Sequence, residues 1–254
     1  MAVAEFVGSS GGERRPIDRS EELVEYFPAD TAAWISDTPL RTEYARLMRG
    51  FHRPIPWEAT HAPSLDADVA YQAKLLGDAQ VEVIALAQTS ASLFADDYDQ
   101  ATVKRMTEAS GVPSLTSAQA IGRALRALGV STVAMATPYS EEVIGRARRY
   151  YETKYGVTVA TSESLGADNA YAIGKMDAGV AEAAFRRIDR PGVDALVVPG
   201  GNFPTMDWIA AWERQFGKPV ITTNQATLWA VMQAMKVATP LPGKGRLLEE
   251  LPAG

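Results

Sequence analysis

The amino-acid sequence predicts an α/β protein: two similar lobes facing each other across a cleft, each with a mainly parallel sheet flanked by helices. Three observations carry that prediction. Short β-rich runs alternate with longer amphipathic stretches of helical period along the 254 residues. Most of the short runs are apolar with few interruptions, as strands covered on both faces require. Two of them run directly into small or polar residues, at the strand ends where open α/β sheets place ligands.

In chain order, strands are expected at 2–7, 32–36, 81–86, 132–136, 157–161, 195–198 and 220–222. Helices are expected at 66–76, 99–109, 117–128, 141–155, 169–187, 206–216 and 226–235. The chirality of the chain makes the crossovers between parallel strands right-handed. Gly111-Val112-Pro113-Ser114 punctuates the pattern and reads as a crossing between the halves. The expected division is 1–115 plus 225–254 for the first lobe and its C-terminal return, and 116–224 for the second. Residues 240–245, with two prolines and two glycines, read as a surface strap.

Composition excludes much chemistry. Asp and Glu (31) outnumber Lys and Arg (25), giving a net charge of −6, so no cationic surplus exists to neutralise a nucleic-acid backbone. The absence of cysteine removes disulfides, thiolate metal ligands and thiol nucleophiles. Two histidines, His52 and His61, cannot make a three-histidine metal site, and no Gly-rich phosphate loop occurs, so no metal and no cofactor is expected. The start carries Glu5 where a signal peptide needs positive charge, and apolar runs are strand-sized, so a cytoplasmic protein without a membrane partner is expected.

Several strand ends carry candidate chemistry. Gln88-Thr89-Ser90 offers two hydroxyls and backbone N–H groups able to donate to one carboxylate, although a Thr-Ser pair more often just satisfies a turn. Pro199-Gly200-Gly201-Asn202 lets a backbone approach a ligand closely ahead of a helix beginning near Pro204, with Asp207 in its first turn. The same residues also fit a plain strand-to-helix turn. Thr137-Pro138-Tyr139 places a phenol as a neutral donor at a third strand end, with Ser140 as the N-cap of the next helix. Asp168 and Asn169 read first as caps of the long helix, and Ser9 and Ser10 border the cleft after the first strand. Glu82 reads as a paired or edge-facing carboxylate, and His61 as a solvated loop residue. Trp57, Trp208, Trp212 and Trp229 read as core or interface, and Arg146-Ala147-Arg148-Arg149 as a solvated helix face.

Taken in order and spacing, Gln88-Thr89-Ser90, Thr137-Pro138-Tyr139, Leu165-Gly166-Ala167-Asp168-Asn169, the segment 195–207 and the segment 217–229 resemble one family. It is the maleate isomerase and arylmalonate decarboxylase branch of the Asp/Glu racemase superfamily, and the similarity runs from about residue 60 to 248. The resemblance implies a pseudo-symmetric two-lobed fold with a carboxylate site between the lobes. In the decarboxylase branch, hydroxyls and backbone amides bind one carboxylate and stabilise the enediolate left when the other departs. Thr89, Ser90, Tyr139 and the Gly201 N–H stand at the matching positions, with Asn202, Ser9 and Asn169 as further substrate-binding candidates. The family's isomerases and racemases use a cysteine at each of two facing positions, and the decarboxylase uses only the second. Gln88 stands at the first and Gly200 at the second, so neither thiol is present.

The resulting expectation is a cysteine-independent enzyme on a small organic acid, a decarboxylase-like lyase with Tyr139, Gln88 and Gly200 at its centre; a homo-oligomer is compatible with it. Two alternatives stand beside it. One is a hydrolase opening a cyclic lactone, imide or amide, with water in the space left at Gly200 and Gln88, Asp207 or His61 assisting. The other is a degenerate carboxylate-binding protein.

Overall fold

The computed structural model describes residues 69–168 and 170–254. The strands expected at 2–7 and 32–36, together with Ser9, Ser10, His52, Trp57, His61 and Asn169, lie outside the described residues.

Among the described residues every strand pairing is parallel, and the strands form two sheets. In the first, β1 (Ile84–Leu86) pairs with β2 (Ser114–Thr116), Ala85 opposite Leu115. In the second, β3 (Thr132–Thr137), β4 (Thr158–Ser164), β5 (Ala195–Val198) and β6 (Val220–Thr222) lie in the order β4-β3-β5-β6. The helices are α1 (Val69–Asp78), α2 (Tyr98–Ser110), α3 (Ser117–Ala127), α4 (Glu141–Tyr155), α5 (Ala170–Gly174), α6 (Ala178–Ile188), α7 (Ile209–Phe216), α8 (Thr223–Ala234) and α9 (Arg246–Glu250). Parallel sheets flanked by helices are thus the architecture that the alternating pattern predicts.

Strand alternation divides the core. Ile84 and Leu86 point into a cluster with Val69, Ala73, Ala91, Tyr98 and Met106, whereas Ala85 and Leu115 join the larger core of the four-stranded sheet. That larger core includes Trp212 and Trp229, both fully buried, while Trp208 is exposed. Phe185 packs edge-on against Trp212 and Phe216, which ties α6 to α7.

Several local expectations are corrected. β2 was missed because three residues directly after Pro113 carry too little pattern to read as a strand. The single helix expected at 169–187 is two: α5 stops at Gly174, and Asp177 starts α6 by accepting the Gly179 N–H at 2.7 Å. β1 begins at Ile84, so Glu82 is an exposed residue before the strand. The strap expected at 240–245 is irregular, as expected, and leads into a short helix, α9. By contrast, α4 has the predicted bounds and cap, with Ser140 Oγ accepting from Val143 N–H and Glu141 and Glu142 in the first turn. No helix among the described residues is long and apolar enough to cross a membrane.

Candidate functional site

Five parallel strands deliver their carboxyl ends to one place. β1 leads to Gln88-Thr89-Ser90, β2 to Ser117, β3 to Tyr139, β5 to Gly200-Gly201 and β6 to Thr223. The side chains of Thr89, Ser90, Ser117, Tyr139 and Thr223 are all buried, none more than 6% exposed. Buried hydroxyls must bond to one another or to backbone, and these do.

Thr89 is the hub. Its Oγ1 lies 3.0 Å from Ser117 Oγ and 3.2 Å from Thr223 Oγ1, and it is also hydrogen-bonded with the Tyr139 phenol. A hydroxyl offers one donor and two acceptor positions, and the Ser117 and Thr223 contacts take two of the three. Thr89 thereby connects the hydroxyls after β2 and β6 to the turn after β1. Ser90 completes the group by bonding with the same phenol. Burial raises the Tyr139 pKa well above the ordinary phenol value, and the bonds with Thr89 and Ser90 offset only part of that. Tyr139 is therefore a neutral donor at any physiological pH. Its backbone is fixed from β4, where Ser164 Oγ donates to the Tyr139 carbonyl at 2.7 Å.

The loop after β5 is held so that its carbonyls face the protein. Pro199 C=O accepts from Thr137 Oγ1 at 2.9 Å, Gly200 C=O from Phe203 N–H at 3.1 Å, and Gly201 C=O from Asn224 Nδ2 at 2.9 Å. Gly200 N–H donates to Thr223 Oγ1 at 2.8 Å. Gly201 N–H is left without a partner among the described residues. A Cβ at Gly201 would sit 2.9 Å from the Ala87 carbonyl oxygen, so only glycine lets this loop lie against the end of β1.

Gly200 does not leave the space that the hydrolytic alternative needs. Its φ is +141°, and a Cβ built there would lie 2.9 Å from Pro138 Cγ and 3.0 Å from Cδ. The direction a cysteine side chain would take is filled by the Pro138 ring. Asp207 is equally unsuited to serve as the base: it is exposed and its Oδ1 accepts from Lys244 Nζ at 2.5 Å. The helix expected from Pro204 begins instead at Ile209, because residues 201–208 are taken up by turns, one closed by Trp208 N–H to Thr205 C=O at 3.0 Å. The glycine loop is therefore not followed directly by a helix N-terminus.

Of the remaining candidates, Gln88 is half-buried at the head of the 3₁₀ turn Thr89–Leu93, which its side chain does not cap. Asn202 is exposed and its amide is directed towards Gly174. Ser9 and Asn169 lie outside the described residues. Among the described residues, cavities of about 210 and 220 Å³ lie away from Thr89, Ser90 and Tyr139, which line neither. The larger one, between Met176, Pro204, Met206, Trp208 and Asn224, opens beside the glycine loop, because Asn224 is also the residue bonded to Gly201.

Ser117 and Thr223 were missed as site residues, although a local signal marks both. Thr116-Ser117-Ala118-Gln119 and Thr222-Thr223-Asn224-Gln225 have the same Thr-x-x-Gln capping pattern directly after a three-residue strand. In α3, Thr116 Oγ1 accepts from Gln119 N–H and Gln119 Oε1 from Thr116 N–H, both at 3.2 Å. In α8, Gln225 Oε1 accepts from Thr222 N–H at 3.4 Å. Each cap sets the next hydroxyl, Ser117 or Thr223, at the first position of its helix, and both hydroxyls meet at Thr89. The two helices also pack against each other, as matching parts of two similar lobes would.

Comparison with known proteins gives the family. Residues 62–248 match the family model described as arylmalonate decarboxylase. The chain is 31% identical over 227 residues to the arylmalonate decarboxylase of Bordetella bronchiseptica, covering 88% of this chain and 91% of that one. It is 30% identical over 136 residues to the maleate isomerase of Nocardia farcinica, covering 53% and 54%. Among solved structures, a maleate isomerase from Pseudomonas putida superimposes with a TM-score of 0.71 at 26% identity, covering 78% of this chain and 81% of that one. A crystal structure of arylmalonate decarboxylase gives 0.65 at 28% identity, covering 77% and 85%. With the match running through all five strand ends, the chain belongs to the arylmalonate decarboxylase family.

Proposed function

We propose that this chain is a thiol-independent lyase that removes one carboxyl group from a small substituted malonate-type acid without a cofactor. The carrying observation is the set of uncharged donors at the strand ends, buried Ser90 and Tyr139 with the half-buried Gly201 N–H, in a chain that has no cysteine. Decarboxylation breaks the bond between the α-carbon and the departing carboxylate. Carbon dioxide leaves, and the electron pair remains as an enediolate on the other carboxylate. Neutral donors held in place before the reaction stabilise that charge as it develops, without reorganising. A proton from solvent then completes the α-carbon. Family membership supports an enzyme acting on a small carboxylic acid. The missing thiols remove the two cysteines of the family's isomerases and racemases and also the one its decarboxylase uses. The lyase reading therefore rests on the neutral donor set, with solvent in place of a thiol as the proton source.

The test is proton NMR in heavy water of the purified protein with aryl- and alkylmalonates, maleate and small cyclic lactones or imides. Loss of a carboxyl group with deuterium entering at the α-carbon is expected. Tyr139→Phe and Ser90→Ala should each lower kcat/KM by about 100-fold, the scale of losing one preorganised donor. Conversion of maleate to its trans isomer, ring opening with solvent oxygen in the product, or ligand binding without turnover of any malonate would each overturn the lyase reading.

A further inference from the structure

The two halves of the site meet through one oxygen. Thr223 Oγ1 accepts the Gly200 N–H at 2.8 Å and lies 3.2 Å from Thr89 Oγ1, across 134 residues of sequence. Either hydroxyl can donate in the Thr223–Thr89 contact, and Thr89 in turn lies 3.0 Å from Ser117 Oγ and beside the Tyr139 phenol. The next residue, Asn224, holds the Gly201 carbonyl at 2.9 Å. Two consecutive side chains at the start of α8 thus clasp the two-glycine unit from its first N–H to its last C=O. The other branch of Thr223 faces the same loop, its Cγ2 3.4 Å from where a Cβ of Gly201 would be. The residue is 1% exposed and sits at the first turn of a twelve-residue helix, so it cannot yield without moving α8.

From this geometry we propose that Thr223 is a positioning residue: its hydroxyl sets the aim of the Gly201 N–H and of the Tyr139 phenol together, coupling the loop after β5 to the turn after β1. The inference rests on the reading of Ser90, Tyr139 and Gly201 as the donor set. Valine at 223 would keep the shape and the methyl contact while removing the oxygen. Serine would keep the oxygen and lose only the methyl.

Wild type, Thr223→Val and Thr223→Ser are compared by amide hydrogen exchange and by the ¹³Cζ signal of labelled tyrosine, with Tyr139 assigned through Tyr139→Phe. In Thr223→Val, exchange of the Gly200 amide should accelerate about tenfold or more relative to the strand amides Leu196 and Val197, which should stay slow. The Tyr139 signal should move in the same variant, and Thr223→Ser should restore both. On a malonate that the wild type turns over, Thr223→Val should lower kcat with KM little changed. An unchanged Gly200 rate or an unmoved Tyr139 signal would overturn the proposal. Equal acceleration at Leu196 and Val197 would also overturn it, because that is the response of a merely structural residue. The first two readouts need no substrate, so failure of the positioning role is distinguishable from failure of the lyase reading.

Discussion

Placing a thiol at Gly200, the position where the family resemblance implies one, is the perturbation this structure judges most sharply. Gly200→Cys asks a residue with a Cβ to adopt a φ of +141°. Holding a non-glycine residue in a sparsely populated backbone region costs about 1–3 kcal/mol. The new Cβ also meets the Pro138 ring at 2.9 and 3.0 Å, and overpacking of a filled interior costs about 1–3 kcal/mol more. Pro138 is buried, and its ring is fixed to its own backbone rather than being the end of a flexible chain, so it cannot swing aside. The total expected loss is about 2–6 kcal/mol, and each kcal/mol lowers Tm by about 2–4 °C in a protein of this size. The assay is urea unfolding of wild type, Gly200→Cys, Pro138→Ala and the double variant. The double variant should recover the packing part, giving a coupling of about 1–3 kcal/mol, and leave the backbone part in place. A Gly200→Cys protein as stable as wild type, or a cycle with no coupling, would refute the claim that Pro138 fills this direction.

Two further expectations concern groups away from the site. Asp99 is buried on α2 and accepts from Thr116 Oγ1 at 2.8 Å, Tyr150 OH at 2.5 Å and Lys154 Nζ at 3.3 Å, joining α2, α4 and the cap of α3. Asp99→Asn should cost about 3 kcal/mol by leaving Lys154 without its partner and mismatching the donors around the amide, read as a lower urea midpoint with an unchanged m value. Asp194 accepts from Ser131 Oγ and from the N–H groups of Ser131 and Thr132, which hold its carboxyl below the ordinary value. A depressed carboxylate contributes stability above its unfolded pKa, about 3.9, and loses it as the pH falls through the depressed folded value. Asp194→Asn should therefore lower stability at neutral pH, and its urea-midpoint profile should converge with that of wild type in acid.

How much was legible depended on how local the signal was. Strands β5 and β6 and helix α4 have the predicted bounds, because an uninterrupted apolar run or a Ser cap followed by two glutamates is complete within a few residues. The split between α5 and α6 was hidden, because Gly174 and Asp177 interrupt an amphipathic pattern that otherwise continues. At the site, Thr89, Ser90, Tyr139 and Gly201 were singled out from strand-end composition and family resemblance. Ser117 and Thr223 were not, because a hydroxyl one residue into a helix looks like an ordinary cap neighbour until its partner is known.

The sequence by itself determined the alternating α/β order, the strand ends that matter and the absence of any thiol, all properties of residue type and short-range periodicity. Only the tertiary structure decided that Thr89 joins Ser117 to Thr223, that the Pro138 ring fills the direction away from Gly200, and that the glycine loop turns its carbonyls inward. Each of these depends on atoms far apart along the chain, such as Thr89 and Thr223, 134 residues apart, being brought within hydrogen-bonding distance. Hydrogen-bond capacity and van der Waals exclusion act over a few ångströms of space, and a one-dimensional pattern carries no record of which distant residues will share it.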